Sequence, residues 1–211
     1  MSRYDLVIFD CDGVLIDSER LAVRTETQIL AELGWPLSEA EVIERFVGRS
    51  SVHMQAVIEE HLGRRVDWQV QFERREREVF ESELEPVDGV IAALDAISVL
   101  SCVASSSSHA MLHFKLGLTG LADRFTGRIF SADDVTRAKP DPAVFLFAAA
   151  SLDVHPSRCA VIEDSVSGVE AGLAAGMTVF AFSGGVTSED QLRRDGVVIF
   201  DSMCVLPELL A

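Results

Sequence analysis

Residues 4–14 read YDLVIFDCDGV, an apolar run that ends in two carboxylates, Asp10 and Asp12, one residue apart. Leu6 to Phe9 is short, continuous and rich in aliphatic side chains, the pattern of a strand buried in a parallel sheet. Two neighbouring carboxylates resist joint ionisation, and a bound cation removes the conflict. The stretch therefore predicts a buried strand with a cation site at its end.

Outward from this strand the character changes. "SERLAVRTETQILAEL" from Ser18 spaces Leu21, Ala22, Thr25, Ile29 and Leu33 as on a helix, and Gly34 sits where a helix should stop. Ser38 and Glu41 form a capping-box pattern before a second helix, and helical stretches follow around 51–62 and 67–82. Nothing from Ser18 to Glu85 reads as a strand. After "PVDG" (Pro86–Gly89) strands alternate with helices: SCVAS, GRIFS, CAVIED, TVFAF and GVVIF are separated by helical runs. That alternation predicts an α/β fold whose parallel sheet is wrapped on both faces. The expected organisation is a core of residues 1–15 and 86–211, with an all-α domain, 16–85, inserted after the first strand.

Composition narrows the function. A hydrophobic content of 48% with 25% charged residues fits a soluble globular protein. No apolar run approaches the roughly 18 residues of a membrane helix, and the early "DCD" speaks against a secretory signal, so a cytoplasmic protein is expected. Cys11, Cys102, Cys159 and Cys204 are scattered, which gives no zinc motif or disulfide framework and predicts small buried thiols. The net charge of −16 excludes the basic footprint of a nucleic-acid binder. No obligate protein partner is evident. An anionic substrate would need local cations, and the chain has only two lysines, Lys115 and Lys139.

Ligands of open α/β sheets sit beyond the carboxyl ends of the strands. The residues there are Asp10 and Asp12, then the hydroxyls from Ser105, then Lys139 in "RAKPDP", where Asp141 caps a helix that Pro142 begins, and finally Glu163 and Asp164. Each alone reads as a cap, a solvated loop or a surface lysine; the ordered set does not. It is complete for phosphoryl transfer. Asp10 could attack phosphorus, and Asp12 could protonate the leaving oxygen and then activate water. Asp10 and Asp164 could hold Mg²⁺, with Glu163 as a ligand or support. Ser105 and Lys139 could bind the phosphoryl oxygens.

The four motifs, "DCDGVLIDSE", the Ser105 strand, "KPDP" and "IEDSVSGVEAG", resemble those of the haloacid dehalogenase superfamily over nearly the whole chain. The helical insert is similar to the cap of the subgroup that contains β-phosphoglucomutase and sugar-phosphate phosphatases. The resemblance implies a Rossmann-like core, Asp10 as nucleophile, Asp12 as acid/base and Mg²⁺ as cofactor, the metal also held by the Asp12 backbone carbonyl. Asp12 with Asp164 speaks against the metal-free dehalogenase branch, and the lysine-free insert speaks against Schiff-base chemistry. The mutases carry a cap-side histidine where this chain has Ala22. "FESELEPVDG" and "GLAAGMTVFAF" look most similar to bacterial phosphatases of the 6-phosphogluconate phosphatase type. The expected function is Mg²⁺-dependent hydrolysis of a small phosphorylated metabolite (a sugar, sugar-acid or polyol phosphate), the alternatives being a phosphosugar mutase and, more remotely, a phospho-ligand sensor.

In this family the cap closes over the core and supplies a substrate loop, here "FVGRSS" (Phe46–Ser51). Gly48 would allow the tight turn, Arg49 would pair with an anionic group, and Ser50 and Ser51 would bind hydroxyls; the alternative is an ordinary turn with a solvated arginine. Ser106, where many relatives carry Asn, and His109 complete the candidate substrate contacts, although a histidine at a helix start is more often structural. With 15 acids and 9 arginines over residues 18–85, the insert is no basic trap. "RREREVFESE" reads as a solvated face with intrahelical ion pairs, and Trp35 and Trp68 as packing.

Overall fold

A computed structural model describes residues 3–49 and 51–211; Ser50, one of the candidate hydroxyl ligands, lies outside the described residues. The first strand, β1 (Leu6–Phe9), is buried along its whole length. Helices α1 (Ser18–Leu33), α2 (Glu39–Phe46), α3 (Ser51–Leu62) and α4 (Trp68–Glu83) come next, then α5 (Val90–Ala96). Strands β2 (Leu100–Ala104), β3 (Ile129–Phe130), β4 (Cys159–Glu163), β5 (Thr178–Phe182) and β6 (Val198–Phe200) follow. They are separated in turn by α6 (His109–Leu118), α7 (Ala143–Ser151), α8 (Val166–Ala174) and α9 (Glu189–Leu192), and α10 (Leu206–Leu209) ends the chain.

The six strands form one sheet in the order β3-β2-β1-β4-β5-β6, and every pair is parallel. The α/β parallel-sheet class expected from the alternation is the one observed. A parallel strand covered on both faces must be apolar at every position, and β1 and β4 are buried throughout. One face packs Leu6, Ile8, Cys102 and Val161 against Phe145 and Ala148 of α7 and Val169 of α8. Burying each such aliphatic side chain contributes about 1.5–3 kcal/mol. Cys11, Cys102 and Cys159 are buried as expected, while Cys204 is exposed.

The chain builds outward from β1 to β2 and β3 on one side, then returns to lay β4, β5 and β6 on the other. The reversal places a crevice at the carboxyl ends of β1 and β4. Register does the rest. Phe9 lies opposite Val103 of β2 and Ile162 of β4, so the next residues, Asp10, Ala104 and Glu163, come level.

The chain divides into two compact units: residues up to Asp17 together with Glu85–Ala211, and Ser18–Leu84. In the helical unit Ser38 and Glu41 make the expected capping box, and Gly34 closes α1 at φ 98°. The acidic and basic face of α4 does more than pair within its own helix, where Glu78 acts on Arg75. Arg75 also pairs with Glu32 of α1 through two hydrogen bonds of 2.8 and 2.5 Å, and Arg24 of α1 reaches Glu83 at 2.8 Å, so these charges tie the two helices together. Trp35 stacks on His61 at 3.9 Å, and buried Trp68 stacks on Phe72 at 5.3 Å, the packing roles expected of them. No helix among the described residues is long and apolar enough to cross a membrane.

Candidate active site

Asp10 follows β1 directly, its backbone N–H bonded to the Ile162 carbonyl at 2.9 Å. The chain then turns sharply. Gly13 takes φ 72°, Leu15 and Ile16 donate back to the Cys11 carbonyl, and Val14 to Ile16 are fully buried. The turn is pinned from below, since Val87 donates to the Leu15 carbonyl and Asp17 to that of Glu85. The backbone of this loop is thereby fixed independently of its polar side chains.

Lys139 enters from the loop after β3, with its side chain 4% exposed. Its ammonium donates to Asp10 Oδ1 at 2.6 Å, to Glu163 Oε1 at 2.7 Å and to the Ala104 carbonyl at 3.2 Å, and it stands 4.6 Å from the centre of the Phe145 ring. All three ammonium protons are used. Burial works against the Lys139 charge, but Asp10 and Glu163 outweigh it and hold its pKa above the usual lysine value. Asp10 itself is pushed up to about 7 by burial; Lys139 pulls it down, and Glu163 and Asp12 push it up. Asp141 accepts from the Ala143 N–H at 3.1 Å, but it lies one residue before the cap position expected of it, which Pro142 holds, and α7 begins at Ala143.

Glu163 ends β4 fully buried. Its Oε2 accepts from the backbone N–H groups of Asp164 and Ser165 and from the Ser165 hydroxyl, each at 2.9 Å. Ser165 also caps α8 by accepting from Gly168 N–H at 3.0 Å. Gly168 is required here, because a Cβ would fall 1.7 Å from Glu163 Oε1. Carboxylate oxygens of Asp10, Glu163 and Asp164, all buried, lie within 4.8 Å of one another. That donor set suits a hard divalent cation. Gly13 leaves the space for the Asp164 carboxylate: a Cβ there would fall 1.8 Å from Asp164 Oδ2.

Asp12 points to a partner the strand ends do not announce. Lys115, on α6, donates to Asp12 Oδ1 at 2.5 Å and Oδ2 at 2.7 Å, and to Ser107 Oγ at 3.1 Å. Ser107 Oγ donates to Asp12 Oδ2 at 3.0 Å. The signal for Lys115 was in the sequence, because it shares the inward stripe of α6 with Leu112 and Leu116, where a lysine has no business unless it is paired.

Ser105 is buried after β2, its N–H bonded to the Phe130 carbonyl and its hydroxyl accepting from Ser107 N–H at 3.1 Å. Ser106 is exposed. His109 is drawn to the acidic turn after β3: its ring Nε2 meets Asp134 at 3.0 Å and its N–H donates to Asp133 at 2.9 Å. In the helical unit Gly48 has φ 76° and Arg49 is exposed. Arg49 lines a cavity of about 290 Å³ with Glu26, Met54, Trp68, Phe72 and Glu73.

Residues 4–176 match the haloacid dehalogenase-like hydrolase family. The chain is 32% identical over 212 residues to 6-phosphogluconate phosphatase of Escherichia coli, covering 99% of this chain and 96% of that protein. Among solved structures it is similar to a haloacid dehalogenase-like protein of Agrobacterium tumefaciens, with a TM-score of 0.90, 35% identity and coverage of 98% and 97%. A second, a HAD family hydrolase of Deinococcus radiodurans with bound phosphate and sodium, has a TM-score of 0.82 at 30% identity, covering 100% of this chain and 99% of that one. Strand order, site and these likenesses agree: the chain belongs to the haloacid dehalogenase-like hydrolases.

Proposed function

We propose that this chain is a Mg²⁺-dependent phosphatase that hydrolyses a small phosphorylated metabolite, a sugar, sugar-acid or polyol phosphate, through an aspartyl-phosphate on Asp10. The observation that carries this reading is Lys139, buried and bonded to both Asp10 and Glu163 beside Asp164. A nucleophilic carboxylate, a fixed cation and a cluster of hard oxygen ligands meet there at the end of the central strand. The phosphatase identity of the Escherichia coli relative and the phosphate held by the Deinococcus relative support the same chemistry.

Asp10 Oδ attacks phosphorus as the bond to the leaving oxygen breaks, and Asp12 gives that oxygen its proton. Water then attacks the aspartyl-phosphate, Asp12 takes the water's proton, and the Asp10–phosphorus link breaks to release inorganic phosphate. Ser105 binds a phosphoryl oxygen, and Lys139, braced by Glu163, gives up its longest bond, the one to the Ala104 carbonyl, to bind another. Asp10 and Asp164 would hold the metal with the Asp12 backbone carbonyl; Glu163, whose Oε2 is already taken by three donors, has only Oε1 to add. Bound Mg²⁺ would offset negative charge on the phosphoryl group. The helical unit, with Gly48 and Arg49, sets substrate choice, and Ser106 and His109 are secondary contacts at most, given that His109 is engaged by Asp134.

Phosphorus NMR with Mg²⁺ and a panel of sugar, sugar-acid and polyol phosphates tests this. Inorganic phosphate should appear with wild type and not with Asp10→Asn. Conversion of β-glucose 1-phosphate to glucose 6-phosphate without free phosphate would replace the reading with a mutase, and no turnover of any substrate would favour a sensor.

A further inference from the structure

Asp12 must accept and give up a proton in the proposed cycle, yet its side chain sits on a turn that fixes the backbone and leaves the carboxylate to find its own orientation. Two groups, one on α6 and one in the loop after β2, fix it. Lys115 Nζ lies 2.5 and 2.7 Å from the two Asp12 oxygens, and Ser107 Oγ is bonded to both Asp12 and Lys115, which closes a three-membered ring of contacts. The Lys115 side chain is 5% exposed. Ser107 is itself held twice, its N–H on Ser105 Oγ at 3.1 Å and its carbonyl by the hydroxyl of fully buried Ser131 at 2.8 Å. A buried ammonium loses its hydration; as one point between the two oxygens it fixes the direction in which the carboxylate faces, and Ser107 Oγ, on Oδ2 alone, stops rotation about that direction.

We propose that Lys115, with Ser107, is a positioning residue for the reaction: it clamps the Asp12 carboxylate in the orientation from which Asp12 takes the proton of the attacking water. This rests on the phosphatase reading above. The balance of that step is unchanged, with the water oxygen bonding to phosphorus, the Asp10–phosphorus bond breaking and the proton passing to Asp12. Lys115 contributes orientation and gives up no proton. A cation kept only to balance charge would need neither contact with both oxygens nor the serine. Here α6 delivers the ammonium and the β2 loop delivers the hydroxyl to the same carboxylate.

The chain has only two lysines, so selective nitrogen-15 labelling of lysine gives two side-chain resonances for direct inspection. In wild type both ammonium groups should be protected from exchange, and Asp12→Asn should release one and leave the Lys139 signal. A Lys115 signal that exchanges freely in wild type would overturn the clamp whatever the enzyme turns over. The kinetic arm uses p-nitrophenyl phosphate, whose leaving group needs no proton. Lys115→Met should then leave kcat/KM, set by phosphorylation of Asp10, within about threefold of wild type. It should lower kcat about 10- to 100-fold as water activation becomes limiting. A burst of about one nitrophenolate per enzyme should precede the slow phase. Ser107→Ala, which keeps the charge, should shift kcat in the same direction by a few-fold and serves if Lys115→Met does not fold. Loss of kcat and kcat/KM together in the variants, or of neither, overturns the positioning role. Wild type that releases nothing from any phosphate ester overturns the phosphatase reading and this role with it, while the resonances still report whether the clamp forms.

Discussion

At the scale of single residues, the site depends on an absence as much as on its carboxylates. Gly13 sits at φ 72°, where a Cβ costs about 1–2 kcal/mol, and that Cβ would fall 1.8 Å from Asp164 Oδ2. Asp164 is 1% exposed and has no room to retreat. Gly13→Ala should therefore displace the carboxylate and raise the Mg²⁺ concentration for half-maximal activity by about tenfold or more, roughly 1.4 kcal/mol per decade. A Mg²⁺ titration of phosphate release checks this, and an unchanged midpoint would remove Asp164 from the metal's ligands. Asp10, Lys139, Glu163 and Asp164 were legible in the sequence because each directly follows or approaches a strand end, a position that order along the chain reveals. A buried Lys115 was legible from its place on the apolar stripe of α6, but its pairing with Asp12 was not, because the two lie 103 residues apart. A search of each helix for a charge on its apolar stripe would have found the lysine.

At the scale of elements, the short pieces are where sequence and structure part. GRIFS reads as a five-residue strand, yet β3 keeps only Ile129 and Phe130, since a single neighbour, β2, supplies all its pairing. The strands with neighbours on both sides were the easier to read, because burial on two faces leaves an unbroken apolar run. Helix α1 holds a feature that periodicity conceals. Glu26 lies among partly buried side chains, and burial pushes its carboxyl up to about 7, with Glu76 and Glu19 adding to the shift. Its unfolded value is near 4.5. Between these two values the folded chain binds a proton that the unfolded chain has lost, so stability falls as pH rises through this window and stays lower above it. Glu26→Gln removes the charge. The variant should match wild type near pH 4.5 and exceed it by about 1–2 kcal/mol at pH 8, after allowance for partial exposure. Urea unfolding at the two pH values measures the difference; a constant offset would mean that Glu26 ionises in the fold as readily as in the open chain.

At the scale of the whole molecule, charge is distributed unevenly for a reason. The net charge is −16, and both of the chain's lysines are spent inside one site, with side chains 4% and 5% exposed. There Asp10, Asp12, Glu163 and Asp164 face Lys115 and Lys139. With all four carboxylates ionised, the two ammoniums leave an excess of two negative charges, the charge that one divalent cation cancels. Folding must gather these carboxylates at a cost, and a cation that binds only the folded form returns the stability by mass action. At a Mg²⁺ concentration of about one hundred times its dissociation constant the gain is about 2.7 kcal/mol, which for a chain of this size raises the melting temperature by roughly 5–10 °C. Asp164→Asn should melt at the same temperature with and without Mg²⁺. The two compact units add a second requirement to scanning calorimetry. If they melt separately, only the transition of the unit that carries β1 and β4 should move, because every proposed ligand belongs to it. Equal displacement of both transitions would mean that the ion acts by screening the overall negative charge and not by occupying the carboxylate cluster.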